Sequence, residues 1–154
     1  MLLQYAGDPL GKLRPIQAHR FNTAGGARIL YLAEDHLTAL HEIQAFGWPV
    51  SAVAIVPVQF DLKAVVDLRD SNVQKILRAT AAELAFNFRS QTPPSPTQSL
   101  GDACAAFGRI DSLIFESPAM AGKANLAVME IALLQLGSSL TVNDPANNLQ
   151  DRLP

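Results

Sequence analysis

Cysteine is almost missing from this chain of 154 residues: Cys104 is the only one. A lone thiol excludes an intramolecular disulfide and any metal site built on paired cysteines, and a reducing compartment is its simplest setting. Histidine is nearly as scarce, with only His19, His36 and His41. The last two stand five positions apart, not the four that would stack two imidazoles over one metal on a helix, so no metal site is expected. An excess of positive charge is also lacking. Twelve Lys and Arg against fourteen Asp and Glu leave a formal net charge of −2, which provides no basic face for a phosphate backbone and disfavours nucleic acid as a direct partner. No run reaches the roughly 18 apolar residues of a membrane span. The opening MLLQYAGDPLGKLRP has neither the basic start nor the apolar run of a signal peptide. No membrane contact is expected, and the cytoplasm is the expected location.

What is present is a globular composition. At 49% hydrophobic and 17% charged residues the chain is too apolar to stay disordered, and its length suits one core. A single domain over residues 1–154 is expected. Residues 1–18 form an irregular lead-in, because Gly7, Pro9, Gly11 and Pro15 break any regular pattern. Residues 143–154 read as a polar surface tail.

The most informative stretch runs from His19 to Phe46, HRFNTAGGARILYLAEDHLTALHEIQAF. A polar, Gly-rich turn leads into an alternating strand over 27–33, with Ile29, Tyr31 and Ala33 on one face and Arg28, Leu30 and Leu32 on the other. Asp35 stands where an N-cap belongs. Leu37, Leu40, Ile43 and Phe46 make an apolar stripe on the helix that follows. Glu42 shares a face with Thr38 and looks away from the centre of that stripe, toward solvent or a cleft. Gly47, Trp48 and Pro49 end the helix.

Further along, residues 50–58 read as a central strand that Pro57 pushes toward an edge or an end. Residues 61–68 read as another strand or strand end. Asp70 or Ser71 caps a helix running to about Phe86, and SQTPPSP over 90–96 is a proline-rich loop. A short helix over 98–107 holds Cys104 as a buried apolar residue, and Gly108 ends it. Residues 112–117 alternate as a strand, PAMAGKAN forms a small-residue turn, and 126–136 fits either a closing strand or a helix.

Taken in order, these stretches resemble the RES domain, the toxin half of bacterial RES–Xre toxin–antitoxin pairs. The family pattern of Gly-Arg-Trp-Asn, a Gly turn, Leu-Tyr-Ala and Ala-Leu-x-Glu is similar to His19-Arg20-Phe21-Asn22, Gly25-Gly26, Leu30-Tyr31-Leu32-Ala33 and Ala39-Leu40-His41-Glu42. The family's later Pro-Ser and Asn-Leu resemble Glu116-Ser117 and Asn125-Leu126. A family arginine upstream of these has only Arg14 near its place. The resemblance implies an α+β fold of ADP-ribosyltransferase type, a twisted split β-sheet core with flanking helices and a cleft between the two sheets that receives NAD+. It implies NAD+ as the substrate consumed rather than a resident cofactor, and an Xre-like helix-turn-helix antitoxin as partner.

Residue chemistry fits that expectation. Cleaving the nicotinamide–ribose bond releases a neutral base, so the site has to hold the diphosphate and offset an oxocarbenium-like charge rather than supply a strong acid. Arg20 is the candidate for the diphosphate, with Asn22 and the Gly25-Gly26 backbone beside it. Tyr31 can stack on the nicotinamide or ribose while its hydroxyl binds a ligand oxygen. Glu42 is the candidate catalytic carboxylate. Ser117 and Asn125 supply hydrogen bonds to ribose or carboxamide, and neither has the surroundings of a triad nucleophile. Glu34, Asp35, Glu116 and Lys123 read as rim residues. The rival reading is a module that binds NAD+ or a protein without turnover.

Overall fold

The alternating strand Ile29–Ala33 carries a hydrophobic layer on each of its faces, as its sequence demands. The computed structural model describes residues 2–3, 16–45, 54–85, 87–90, 94–131, 134, 137–143 and 152–153. Its strands are β1 (Leu2–Leu3), β2 (Ile29–Ala33), β3 (Ala54–Ile55), β4 (Val58–Asp61), β5 (Val65–Asp67), β6 (Ser112–Glu116), β7 (Ala124–Met129), β8 (Ser139–Val142) and β9 (Arg152–Leu153). Its helices are α1 (His36–Ala45), α2 (Ser71–Leu77), α3 (Ala81–Ala85) and α4 (Pro96–Phe107). The main sheet has the order β2-β7-β6-β5, antiparallel except for the parallel pair β5 and β6. A second sheet has the order β4-β8-β9, and β1 pairs with β3. The fold is α+β.

The two faces of the main sheet have different neighbours. Leu32 and Val128 pack with Val56, Leu140 and Val142 and so join the second sheet to the first. On the opposite face, Ala127, Met129, Leu113 and Phe115 pack with Phe21, Leu68, Cys104 and Ala105. Residues 127 and 128 look to opposite sides because successive side chains on a strand do so. Each fully buried Leu, Phe or Met adds about 1.5–3 kcal/mol relative to an exposed one, which makes both layers stabilising.

Helix ends follow local chemistry. Asp35 accepts from the Thr38 N–H at 2.8 Å, and Asp70 accepts from the Asn72 N–H at 2.7 Å, as N-caps do. Gly108 closes α4 with φ of 66°. That helix starts two residues earlier than position 98, because Ser95 and Gln98 form a capping box around Pro96. The helix expected from residue 70 to about 86 is two helices. Arg78 takes a left-handed conformation, with φ of 53°, and Thr80 and Glu83 then cap α3 reciprocally. Of the strand expected over 50–58, residues 50–53 lie outside the described residues and the rest is divided: Ala54–Ile55 pairs with β1 and Val58–Asp61 with β8, so Pro57 falls between strands where its missing N–H costs no ladder bond. β4 lies at the edge of its sheet, not in the centre. Neither chain end is wholly irregular, since Leu2–Leu3 and Arg152–Leu153 both pair with strands. Residues 124–129 form β7, and a helical turn follows at Glu130. Arg14, the Phe46 end of the first helix and its Gly47-Trp48-Pro49 stop lie outside the described residues.

Asp111 joins the two sheets. It is fully buried, and Oδ2 accepts from the Lys63 N–H, the Ala64 N–H and Ser138 Oγ at 2.6, 3.0 and 2.6 Å, while Oδ1 accepts from Ser112 Oγ at 3.0 Å. Burial, the largest single effect, pushes its pKa up. The hydrogen bonds together outweigh that and hold it below the ordinary value. A folded-state pKa below the unfolded one gives stability that is present above the unfolded pKa, about 3.9, and lost as pH falls through the folded value. Acid unfolding should therefore begin below about pH 4, and Asp111→Asn should melt lower at neutral pH while losing part of that acid dependence. Thermal melts between pH 3 and 7 would check this; an unchanged acid slope in Asp111→Asn contradicts the assignment.

Candidate functional site

The turn His19–Asn22 is held from behind by α4 and β2. Gln98 Nε2 donates to the His19 carbonyl at 3.0 Å, and the His19 N–H donates to the Asn22 carbonyl at 3.0 Å. The Tyr31 hydroxyl accepts from the Phe21 N–H at 2.8 Å and donates to Asn22 Oδ1 at 3.0 Å. α4 comes so close that a Cβ on Gly101 would lie 1.8 Å from the Phe21 carbonyl oxygen, so only glycine fits there. Phe21 enters the core, fully buried, with its ring centroid 4.9 Å from that of Phe115. Arg20, its neighbour in sequence, points into a cavity.

That cavity has a volume of about 400 Å³ and lies between α1, the main sheet and the segment that follows α3. Its wall includes Arg20, Tyr31, Glu42, Phe88, Phe115 and Asn125. Arg20 is only 9% exposed. One of its N–H groups donates to the Leu84 carbonyl at 2.6 Å, and its guanidinium carbon lies 6.0 Å from the Phe115 ring centroid. Burial pulls its pKa below the ordinary value, opposed by the negative charge of Glu42. A guanidinium stays cationic under that pull.

Glu42 is where the two polar clusters of the sequence meet. Ser117 Oγ and Asn125 Nδ2 both donate to its Oε1, each at 2.6 Å. Because a carboxylate only accepts, Asn125 must turn its NH2 toward Glu42, which leaves Asn125 Oδ1 buried and without a partner. The buried face of α1 is Thr38, Ala39 and Ile43. Glu42 therefore does share a side with Thr38, but that side is the packed one, and Leu37 of the expected stripe is 50% exposed. Small side chains on this face let the helix settle against the sheet with its carboxylate in the cavity wall. Lys123 fixes the start of the helix by bridging Glu34 at 2.7 Å and Asp35 at 2.9 Å.

The model of the RES domain matches residues 4–145, nearly the whole chain. The chain belongs to the RES domain family. No curated protein matches it.

Within this RES domain, Glu42, Arg20, Tyr31 and Asn125 meet at one cavity, and Ser117 stands directly behind the carboxylate. Asn22 does not join them. It is 2% exposed, and its amide is spent on the Gln17 and Thr23 carbonyls and the Tyr31 hydroxyl. The Tyr31 hydroxyl is likewise committed to the turn, and burial, the main cause, raises its pKa far above the ordinary value. Tyr31 offers a ligand its ring rather than its proton. The Gly25-Gly26 turn is not open to a ligand either: Asp102 of α4 occupies it, accepting from the Thr23 N–H, Thr23 Oγ1 and the Ala27 N–H. A Cβ on Gly26 would lie 2.8 Å from an Asp102 oxygen. A cleft of about 930 Å³ does separate the two sheets, but of the candidate catalytic and binding residues only Asn125 reaches it, beside the expected rim residues Glu34 and Asp35. The others face the opposite side of the main sheet.

Gln98 and Asp102, which position the turn, were not foreseen from the sequence, nor were His19, Phe88 and Arg89 in the cavity wall. The Ser-Pro-x-Gln cap could have pointed to Gln98; nothing local marks the rest. Among the described residues no group of three His, Cys, Asp or Glu side chains is placed to hold a metal ion, and no helix is long and apolar enough to cross a membrane.

Tyr31→Phe should keep the ring and strip both hydrogen bonds from the turn. Leaving the Phe21 N–H and Asn22 Oδ1 unsatisfied should lower stability by about 1–3 kcal/mol, measured by urea unfolding. Unchanged stability would mean the hydroxyl is free for a ligand after all.

Proposed function

We propose that this RES domain consumes NAD+ by cleaving its nicotinamide–ribose bond, passing ADP-ribose to water, phosphate or a protein side chain. The observation that carries the reading is the Glu42 carboxylate in the cavity wall, fixed by Ser117 and Asn125 and facing the charge of buried Arg20. A cavity of about 400 Å³ falls in the range of small-molecule sites, about 300–1,000 Å³. It supplies aromatic surface for a nicotinamide, a cation for the diphosphate and an anion for the charge that develops on the ribose.

The chemistry asks little of the protein beyond position. Nicotinamide leaves as a neutral base and takes the bonding electrons, so positive charge spreads over C1′ and the ring oxygen of the ribose. A carboxylate already oriented toward that charge stabilises it without reorganising during the reaction. Two donors on one oxygen hold Glu42 in a single orientation, so Ser117 acts through Glu42 and Asn125 is within reach of both Glu42 and the ligand. Arg20 holds phosphate in ground state and transition state alike. Such a site needs no resident cofactor.

Glu42→Gln keeps a carbonyl oxygen where Ser117 and Asn125 donate, so the variant should fold. It should lower kcat about 100-fold, or about 3 kcal/mol, with NAD+ affinity little changed. Arg20→Ala should chiefly raise KM, with Arg20→Lys rescuing in part. Nicotinamide release by purified protein, with and without phosphate and added cell proteins, separates the three acceptors. No release under any condition, with NAD+ still bound in calorimetry, would replace the enzyme with an NAD+-binding module.

A protein that depletes NAD+ in its own cytoplasm needs restraint, and the proposal includes an Xre-like helix-turn-helix antitoxin covering the cavity. Co-expression with an adjacent reading frame should rescue growth. Harmless expression of the domain alone would count against toxicity.

A further inference from the structure

The cavity wall carries a second arginine besides Arg20. It is Arg89, in the 3-10 turn Phe88–Ser90, whose residues Phe88 and Arg89 both line the cavity. Arg89 is exposed while Arg20 is buried, so the two guanidiniums stand at the rim and the inner wall of one space. They belong to one framework, since Arg20 donates to the carbonyl of Leu84, in the last turn of α3, the helix that precedes the turn carrying Arg89. The Arg89 guanidinium carbon lies 5.6 Å from the Phe88 ring centroid, which steadies a long side chain against the aromatic wall. His19 lines the same space. Burial first, and the nearby charge of Arg89 second, pull its pKa below the ordinary value, so near neutral pH the imidazole adds hydrogen bonding rather than charge.

A diphosphate carries adjacent negative charges, and a planar guanidinium grips one phosphate at a time with its paired N–H groups. Arg20 alone is poorly matched to that load, because Leu84 takes one donor and Glu42 already answers its charge. The geometry points to Arg89 as the outer phosphate-binding residue of this cavity, paired with Arg20 for a ligand bearing a diphosphate. This rests on the reading of the cavity as an NAD+ site and assigns the arm that holds the diphosphate. It also sets the direction of the ligand, with nicotinamide inward at Glu42 and the adenosine end toward solvent past Arg89.

The test is calorimetric binding of three probes to the full chain: ADP-ribose, inorganic pyrophosphate and nicotinamide riboside, which has no diphosphate. Arg89→Ala should weaken ADP-ribose and pyrophosphate by about tenfold or more, as loss of a charge-assisted hydrogen bond implies, and leave nicotinamide riboside unchanged. Arg89→Lys should fall between Arg89→Ala and the wild type, and the salt dependence of ADP-ribose binding should become shallower in Arg89→Ala. Because Arg89 is exposed, both variants should melt like the wild type; should Arg89→Ala melt lower, Arg89→Lys carries the comparison. Equal ADP-ribose affinity in the wild type and Arg89→Ala overturns the assignment while the NAD+ reading stands. Pyrophosphate bound through Arg89 with ADP-ribose refused supports the paired-arginine site and removes the NAD+ reading. Refusal of both by the wild type overturns the assignment.

Discussion

A buried guanidinium has to be partnered, and much of this domain can be understood as the partnering of Arg20. Taking a cation out of water costs several kcal/mol unless charge and hydrogen bonds compensate. Here the compensation comes from the Leu84 carbonyl, the Phe115 ring and the Glu42 carboxylate. Each comes from a different part of the chain, so satisfying Arg20 fixes α1, β6 and α3 relative to one another. Glu42 then has its own demand, met by Ser117 after β6 and Asn125 on β7.

The turn bearing Arg20 is itself held by groups that never reach the cavity. Gln98, Gly101 and Asp102 lie along α4 and brace, in order, the His19 carbonyl, the Phe21 carbonyl and the Gly25-Gly26 turn. This explains why polar residues that look available in sequence are not. Asn22 and the Tyr31 hydroxyl answer backbone groups of a turn with no regular ladder to pair with, and buried polar groups without partners are costly. Their contribution to any chemistry is rigidity.

What could be read from the sequence was what local physics decides. The two faces of the strand over 29–33, the caps at Asp35 and Asp70, the stop at Gly108 and the burial of Cys104 depend on neighbours a few positions away. The phase of α1 does not. Leu37 loses its place against the sheet to Thr38 and Ala39 because small side chains allow closer helix–sheet packing and only that rotation brings Glu42 to Ser117 and Asn125, 75 and 83 positions away. The break at Arg78 and the cap at Ser95 were within reach of local reasoning, since Thr80 to Glu83 and Ser95 to Gln98 both carry the capping-box spacing. Hydrophobic periodicity across 73–84 hid the first of these and proline richness the second. The place of Arg89 in the cavity wall was invisible because it depends on α3 and the turn after it folding back over the cavity.

The Asp102 carboxylate in the Gly-rich turn bears on how an anion can be recognised here. A glycine turn with converging N–H groups often serves a phosphate, but in this chain the Gly25 and Gly26 N–H groups donate to the Ile16 and Thr23 carbonyls, and the flanking Thr23 and Ala27 N–H groups are given to the Asp102 carboxylate. Backbone recognition is thereby excluded at that turn, and a phosphate beside it has to be held by side chains. Side chains are precise only when their roots are fixed. The Asp102 contacts fix the root of Arg20, so the anion that fills the turn makes the turn a foundation for the cation beside it. A phosphate competing for those N–H groups would have to expel Asp102 and release the Arg20 turn with it. The site is therefore preorganised for ligands that approach through the cavity mouth, and the loop that most resembles a binding motif serves the cavity from outside it.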